Sequence, residues 1–230
     1  MLWNKKYNYP TSSRATEDGV RRYLLGEEKL PSVTSILDLT KSEEDKAALA
    51  NWRERNKDAD QITKAASSRG SKMHGFLESY LLNRENLSFF DDNEQYKKMA
   101  KVIIDKGLTN RLEEIWGVEC TLYYPKKYAG TCDLVGIYSG RETIIDFKQS
   151  NKLKKIEYVD SWFLQTAAYS LAHNFVYNSN ITSCVILVCT VDNVFQEFKI
   201  QGSELITYQN LFLGRLKKFN ELLNLNKVII

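Results

Sequence analysis

An α/β fold is what this sequence predicts: a mixed central sheet flanked by helices, with a helical cap at the N-terminal end. Three observations carry it. Residues 131–138 and 143–147 are apolar runs separated by the turn formers of Tyr138-Ser-Gly-Arg-Glu142, a hairpin signature. Ser183–Thr190 is a near-continuous apolar run, as expected of a strand buried on both faces. Around them, apolar residues recur at helical spacing over 59–82, 92–107, 156–175 and 203–225. The 230 residues are 43% hydrophobic and 12% aromatic, with 3 prolines and no Ser/Gly-rich linker. They are expected to form one domain over 1–230, with 1–57 as arm and helical cap and 58–230 as the core. A net charge of +3 neither requires nor excludes nucleic acid, because a local patch decides that. No apolar run has the length of a membrane span, and Met1-Leu-Trp-Asn-Lys-Lys6 lacks the apolar centre of a signal peptide. The expectation is a soluble, cytoplasmic protein with no membrane partner.

Residues 1–30 show no clear period. Tyr7, Tyr9 and Tyr23 stand among Arg14, Arg21 and Arg22, which suits either an arm stacked on a nucleic-acid strand or an edge hairpin packed on the domain. Ser32 is placed to cap a short helix opening in Leu30–Leu37. Ser42-x-x-Asp45 has the form of a capping box and starts a helix to about Asn56, with Ala47, Leu49, Ala50 and Trp52 on its apolar side. In 59–82, His74 and Glu78 are four apart and so share one helical face. Val118–Tyr124 alternates like a strand, with Glu119 near the proposed site in sequence order; it is either a supporting group or merely exposed. The closing helix turns Leu205, Tyr208, Leu211, Phe212, Leu216 and Phe219 inward.

The chemistry concentrates in the hairpin. Asp146 and Lys148 are two apart on one strand and face the same way, and Asp133 on the neighbouring strand can reach that face. Two buried carboxylates side by side repel and need a cation. A divalent ion with oxygen ligands, Mg²⁺ or Mn²⁺, supplies it, and a lysine beside it can orient water and meet charge growing on a phosphate. Taken alone, the stretch also fits an ordinary hairpin with a surface ion pair, and His74 with Glu78 also fits a core histidine bonded to its own i+4 glutamate.

Four blocks stand in order: Gly70-x-x-x-His74-x-x-x-Glu78, Gly130-x-x-Asp133, Ile144-Ile-Asp146-x-Lys148 and Gln165-x-x-x-Tyr169. In this the chain resembles the PD-(D/E)XK nuclease superfamily, in particular its RecB-like exonuclease branch. The spacing and the Pro31–Leu37 segment look most like the mitochondrial genome maintenance exonucleases and their phage-encoded relatives, over roughly residues 30–175. The resemblance implies a restriction-endonuclease-like sheet. It also implies metal-dependent hydrolysis of phosphodiester bonds in single-stranded DNA or at DNA ends, and, by the phage relatives, a phage origin in a bacterial host. It makes Asp133, Asp146 and Lys148 catalytic, with metal held by His74, Asp133, Asp146, the carbonyl of Phe147 and, as one of several roles open to it, Glu78. Arg69, Lys72, Gln165, Tyr169 and Lys152 are the expected substrate contacts. An inactive binding module of the same fold and an endonuclease are the alternatives. Cys120, Cys132, Cys184 and Cys189 form no C-x-x-C pair, and with no cysteine before Cys120 no iron–sulfur cluster is expected.

Overall fold

The computed structural model describes residues 1–82 and 94–228, with side chains to residue 224. Its centre is a six-stranded mixed sheet ordered β1-β5-β6-β7-β8-β9. Strands β5 (Leu112–Tyr124), β6 (Tyr128–Tyr138) and β7 (Arg141–Ser150) form an antiparallel meander. The hairpin expected over 131–147 is its second turn, where Ser139 and Gly140 both have positive φ, as a tight two-residue connection requires. A crossover through helix α5 (Asp160–Tyr177) brings β8 (Ser183–Thr190) parallel to β7, and β9 (Phe195–Gln201) returns antiparallel. Every residue of β8 is buried, as its unbroken apolar run implies. Strand β1 (Leu2–Trp3) adds to the far edge, parallel to β5.

Side-chain alternation divides the interior into two layers. On one face, Leu134, Ile145, Phe147 and Leu187 meet α3 (Ala59–Leu81) and α4 (Gln95–Ile103) through Met73, Leu77, Leu81 and Met99. On the other, Val135, Ile144 and Ile186 meet α5, α1 (Val33–Leu39) and α6 (Ser203–Val228) through Phe163, Ala167, Ile36 and Phe212. The cap of α1 is as expected: Ser32 Oγ accepts from Ser35 N at 3.0 Å. So is that of α2 (Glu43–Arg55), where Ser42 Oγ accepts from Asp45 N at 3.0 Å.

Several local expectations are corrected. Helix α2 buries none of its residues, so Ala47, Leu49, Ala50 and Trp52 are an apolar side without a core beneath them. Leu211 on α6 is exposed, whereas Leu205, Phe212, Leu216 and Phe219 are buried. The first residues of the helix expected over 92–107 lie outside the described ones. The α-helical part ends at Ile103, and 104–108 is a π-turn packed where Gly107 meets Leu187 and Phe195.

Residues 13–31 pack on the domain, as the edge-hairpin reading of residues 1–30 expects. Strands β2 (Ser13–Glu17), β3 (Val20–Leu25) and β4 (Glu28–Pro31) make a separate antiparallel sheet. The signal for it was Asp18-Gly19, both at positive φ, the dipeptide of a type I′ hairpin. Tyr23 and Leu30 bury that sheet against Ala129 of β6. Among the described residues, no helix is long and apolar enough to cross a membrane.

Candidate active site

The site lies where β6 and β7 part. Their ladder runs from Tyr138–Arg141 to Leu134–Ile145 and ends there. Beyond it, β6 pairs with β5 as far as Tyr128–Tyr124, and β7 with β8 as far as Ser150–Thr190. Asp133 and Asp146 are the first residues past the last pair. Asp133 Oδ2 replaces the lost ladder bond by accepting from Phe147 N at 2.7 Å. In the gap beyond the last pair stand the Asp133 and Asp146 carboxylates and the Lys148 ammonium.

On β7, alternation turns Ile145 and Phe147 toward α3 and leaves Asp146 and Lys148 on the α5 face. Lys148 Nζ stands 2.6 Å from Asp146 Oδ2 and donates to Gln165 Oε1 at 3.2 Å. Gln165 Nε2 in turn donates to Tyr169 OH at 3.2 Å. The Q-x-x-x-Y pair of α5 is therefore a brace for the lysine. Gly130 makes room for it: a Cβ there would come within 2.5 Å of the Tyr169 ring. Asp146 Oδ2 is buried and, despite the nearby ammonium, takes no hydrogen bond of proper geometry from the protein. The Lys148 ammonium is the cation that offsets this buried carboxylate.

From α3, His74 Nδ1 lies 3.4 Å from Asp133 Oδ2 and 3.9 Å from Glu119 Oε1. Ligand atoms of His74, Glu119 and Asp133 all fall within 4.8 Å of one another. Around one hard divalent ion with bonds of about 2.1 Å, ligands stand about 3 Å apart in cis and about 4 Å in trans. The triad thus fits one ion after a small inward adjustment. Glu119 is the residue whose role the sequence left open. The turn that pairs Tyr124 with Tyr128 sets a register in which Glu119 stands opposite Asp133, between the pairs Val118–Leu134 and Cys120–Cys132. Its φ of 46° is left-handed, a costly conformation for a glutamate within a strand.

Burial and charge move the titrations apart. Burial alone lowers the pKa of His74, but the Asp133 carboxylate and its hydrogen bond, with Glu119, overcome it and push it up to about 10. Burial, reinforced by the Asp133 charge and opposed by Lys148, pushes Asp146 up to about 6. Asp133 moves the other way: burial raises it, but His74, Lys148 and the Phe147 N–H together hold it below the usual carboxylate range. Lys148 is raised despite burial by Asp146 and Asp133, so it is an ammonium.

The other expected contacts divide. Glu78 lines the cleft with His74 but lies outside the tight triad. Arg69 Nε and Nη2 donate to Gln149 Oε1 at 3.0 and 2.9 Å, and Nη2 also to Asn151 Oδ1, so Arg69 braces the strand end beside Lys148. Lys72 Nζ stands 5.5 Å over the Tyr96 ring, away from both clefts. Lys152 is exposed on the loop after β7, and its backbone bonds Ser150 Oγ. The clefts, of about 440 and 450 Å³, share Gly70 and His74. Cys120, Cys132, Cys184 and Cys189 are buried free thiols in β5, β6 and β8.

A histidine, three carboxylates and a braced lysine in the fork of a mixed sheet define a candidate metal site. Comparison with known proteins gives names beside that class. No protein-family model matches the chain. It is 26% identical over 208 residues to mitochondrial genome maintenance exonuclease 1 of Homo sapiens, across 84% of this chain and 58% of that protein. The Mus musculus protein of the same name is 28% identical over 208 residues, across 84% and 59%. The chain therefore spans less than two thirds of these relatives. A solved alkaline exonuclease from Laribacter hongkongensis aligns over 86% of this chain and 94% of its own, with 14% identity and a TM-score of 0.40.

Proposed function

We propose that this chain is a metal-dependent DNA exonuclease of the RecB-like PD-(D/E)XK type, hydrolysing phosphodiester bonds of single-stranded DNA or DNA ends. The observation that carries the proposal is the convergence of Asp133, Asp146 and Lys148 with His74 and Glu119 in the fork between β6 and β7. Relatives named as exonucleases support the same reading.

His74, Glu119 and Asp133 would hold a divalent ion, Mg²⁺ or Mn²⁺, with Asp146 and the Phe147 carbonyl beside them; an imidazole among the donors suits Mn²⁺ well. When bound, the ion polarises the scissile phosphate and lowers the pKa of water. Lys148, held between Asp146 and Gln165, positions the attacking water in line and donates to the phosphate as its charge grows. Tyr169 fixes Gln165, and Arg69 fixes the segment after Lys148. Glu78 lines the cleft beside the triad, and Lys152 is an outlying member of the substrate surface, with Lys72 beyond it.

The test is digestion of end-labelled linear single-stranded DNA beside a closed circle, with Mg²⁺, Mn²⁺ or EDTA, for wild type and Lys148→Ala. Shortening of the linear strand alone, with metal alone and lost in the variant, is the expected result. Nicking of the circle turns the reading to an endonuclease. Binding without turnover in any lane turns it to an inactive module.

A further inference from the structure

We infer that Arg14, with Arg21 beside it, positions the phosphodiester neighbouring the one under attack. The inference rests on the nuclease reading and adds where the strand runs. The N-terminal sheet forms one wall of the cleft, contributing Arg14, Arg21 and Tyr23, opposite His74, Glu119 and Asp133. Arg14 Nη2 donates to Thr131 Oγ1 at 2.8 Å, and its guanidinium lies 5.3 Å over the Tyr23 ring. Tyr23 OH bonds the same Thr131 oxygen at 3.0 Å. The guanidinium is thus held in place by one of its five N–H donors, leaving a fork suited to a phosphate.

Charge pairing on that sheet is selective. Arg22 and Lys29 both pair with Glu17, at 3.6 and 2.7 Å. Among the described residues, Arg14 and Arg21, the two that face the cleft, have no carboxylate partner. The cleft otherwise carries Glu78, Glu119 and Asp133, which repel a polyanion. A divalent ion answers the scissile phosphate; the next phosphate needs a separate cation. Thr131 precedes Asp133 by two residues on β6, so Arg14 is anchored about 7 Å along the strand from the metal carboxylate. One nucleotide step along an extended single strand is of the same order. Arg14, Glu119 and Thr131 also line the adjoining groove of about 530 Å³, walled by Tyr7, Tyr9 and Trp116. Arg14 therefore stands at the junction through which a strand entering or leaving the fork passes.

The experiment compares wild type, Arg14→Met and Arg21→Met on single-stranded oligonucleotides carrying one uncharged methylphosphonate a linkage to either side of the cleaved bond. Methionine keeps an apolar stem over Tyr23 without the charge. For wild type, neutralising the phosphate on one side raises KM about tenfold with kcat nearly unchanged, as loss of uniform binding does. Arg14→Met shows that rise on the unmodified strand and no further rise on the modified one. An equal methylphosphonate effect in both proteins, or a loss carried by kcat, overturns the inference. Binding of the same strand with Ca²⁺, followed by anisotropy, separates this from failure of the nuclease reading, since it needs no turnover. Arg14→Met and Arg21→Met each flatten the slope of log K against log salt by about 0.7, whereas Arg141→Met, away from the cleft, leaves it unchanged. Identical slopes in all four proteins also overturn it.

Discussion

One hairpin holds two opposite solutions. From Leu134 to Tyr138 and from Arg141 to Ile145 it is a closed ladder, with Leu134, Val135, Ile144 and Ile145 fully buried between helical layers. One residue further, the same two strands separate, and Asp133, Asp146 and Lys148 occupy the gap. The closed half is held by pairing and burial and does nothing chemical. The open half gives up pairing, buries the Asp146 carboxylate against the Lys148 ammonium and gathers charge. Pairing and candidate chemistry are thus separated by a single pleat.

The contrast can be broken from either side. Lys148→Ala removes a preorganised charge at the phosphate and lowers kcat by about 10²-fold or more while the thermal midpoint stays within a few degrees; rate assays with parallel thermal melts check this. Leu134→Ala in the closed half does the reverse. It opens a cavity under α3, costs about 2–5 kcal/mol in urea unfolding, and leaves kcat of the folded fraction little changed. The two acids near His74 sharpen the comparison within the open half. Glu119→Gln weakens Mn²⁺ binding by about tenfold or more in calorimetric titration, and Glu78→Gln has a smaller effect, because only Glu119 belongs to the tight triad.

The open half also sets a pH dependence, read in EDTA. Asp146 has its pKa raised by burial to about 6, above the ordinary carboxylate value, so the fold favours its protonated form. Its contribution to stability is present below about pH 4 and is lost as pH rises through 6. His74, raised to about 10 by Asp133, contributes below about pH 6.5 and loses that as pH rises through 10. Asp146→Asn should remove the first decline and His74→Gln the second. Thermal melts between pH 4 and 9 read both, and an unchanged profile in either variant refutes the corresponding assignment.

What the sequence determined by itself was local. The hairpin, the shared face of Asp146 and Lys148, the caps at Ser32 and Ser42, the run of α3 that carries His74, and the buried strand Ser183–Thr190 all follow from periods of two or 3.6 residues and from turn and cap chemistry within a few positions. The order of four short blocks added which side chains to watch. Tertiary structure decided the rest, because it depends on register and closure across the chain. Glu119 became a ligand candidate only through pairing opposite Asp133, and its left-handed backbone is imposed from outside its own stretch. Where β6 and β7 part is set by what their other neighbours hold, not by either strand alone. Arg14 reaches the cleft only because a polar sheet folds back to bond Thr131, 117 positions away. Local propensity names the parts, and the long-range contacts that bring them together are written in no single window of the sequence.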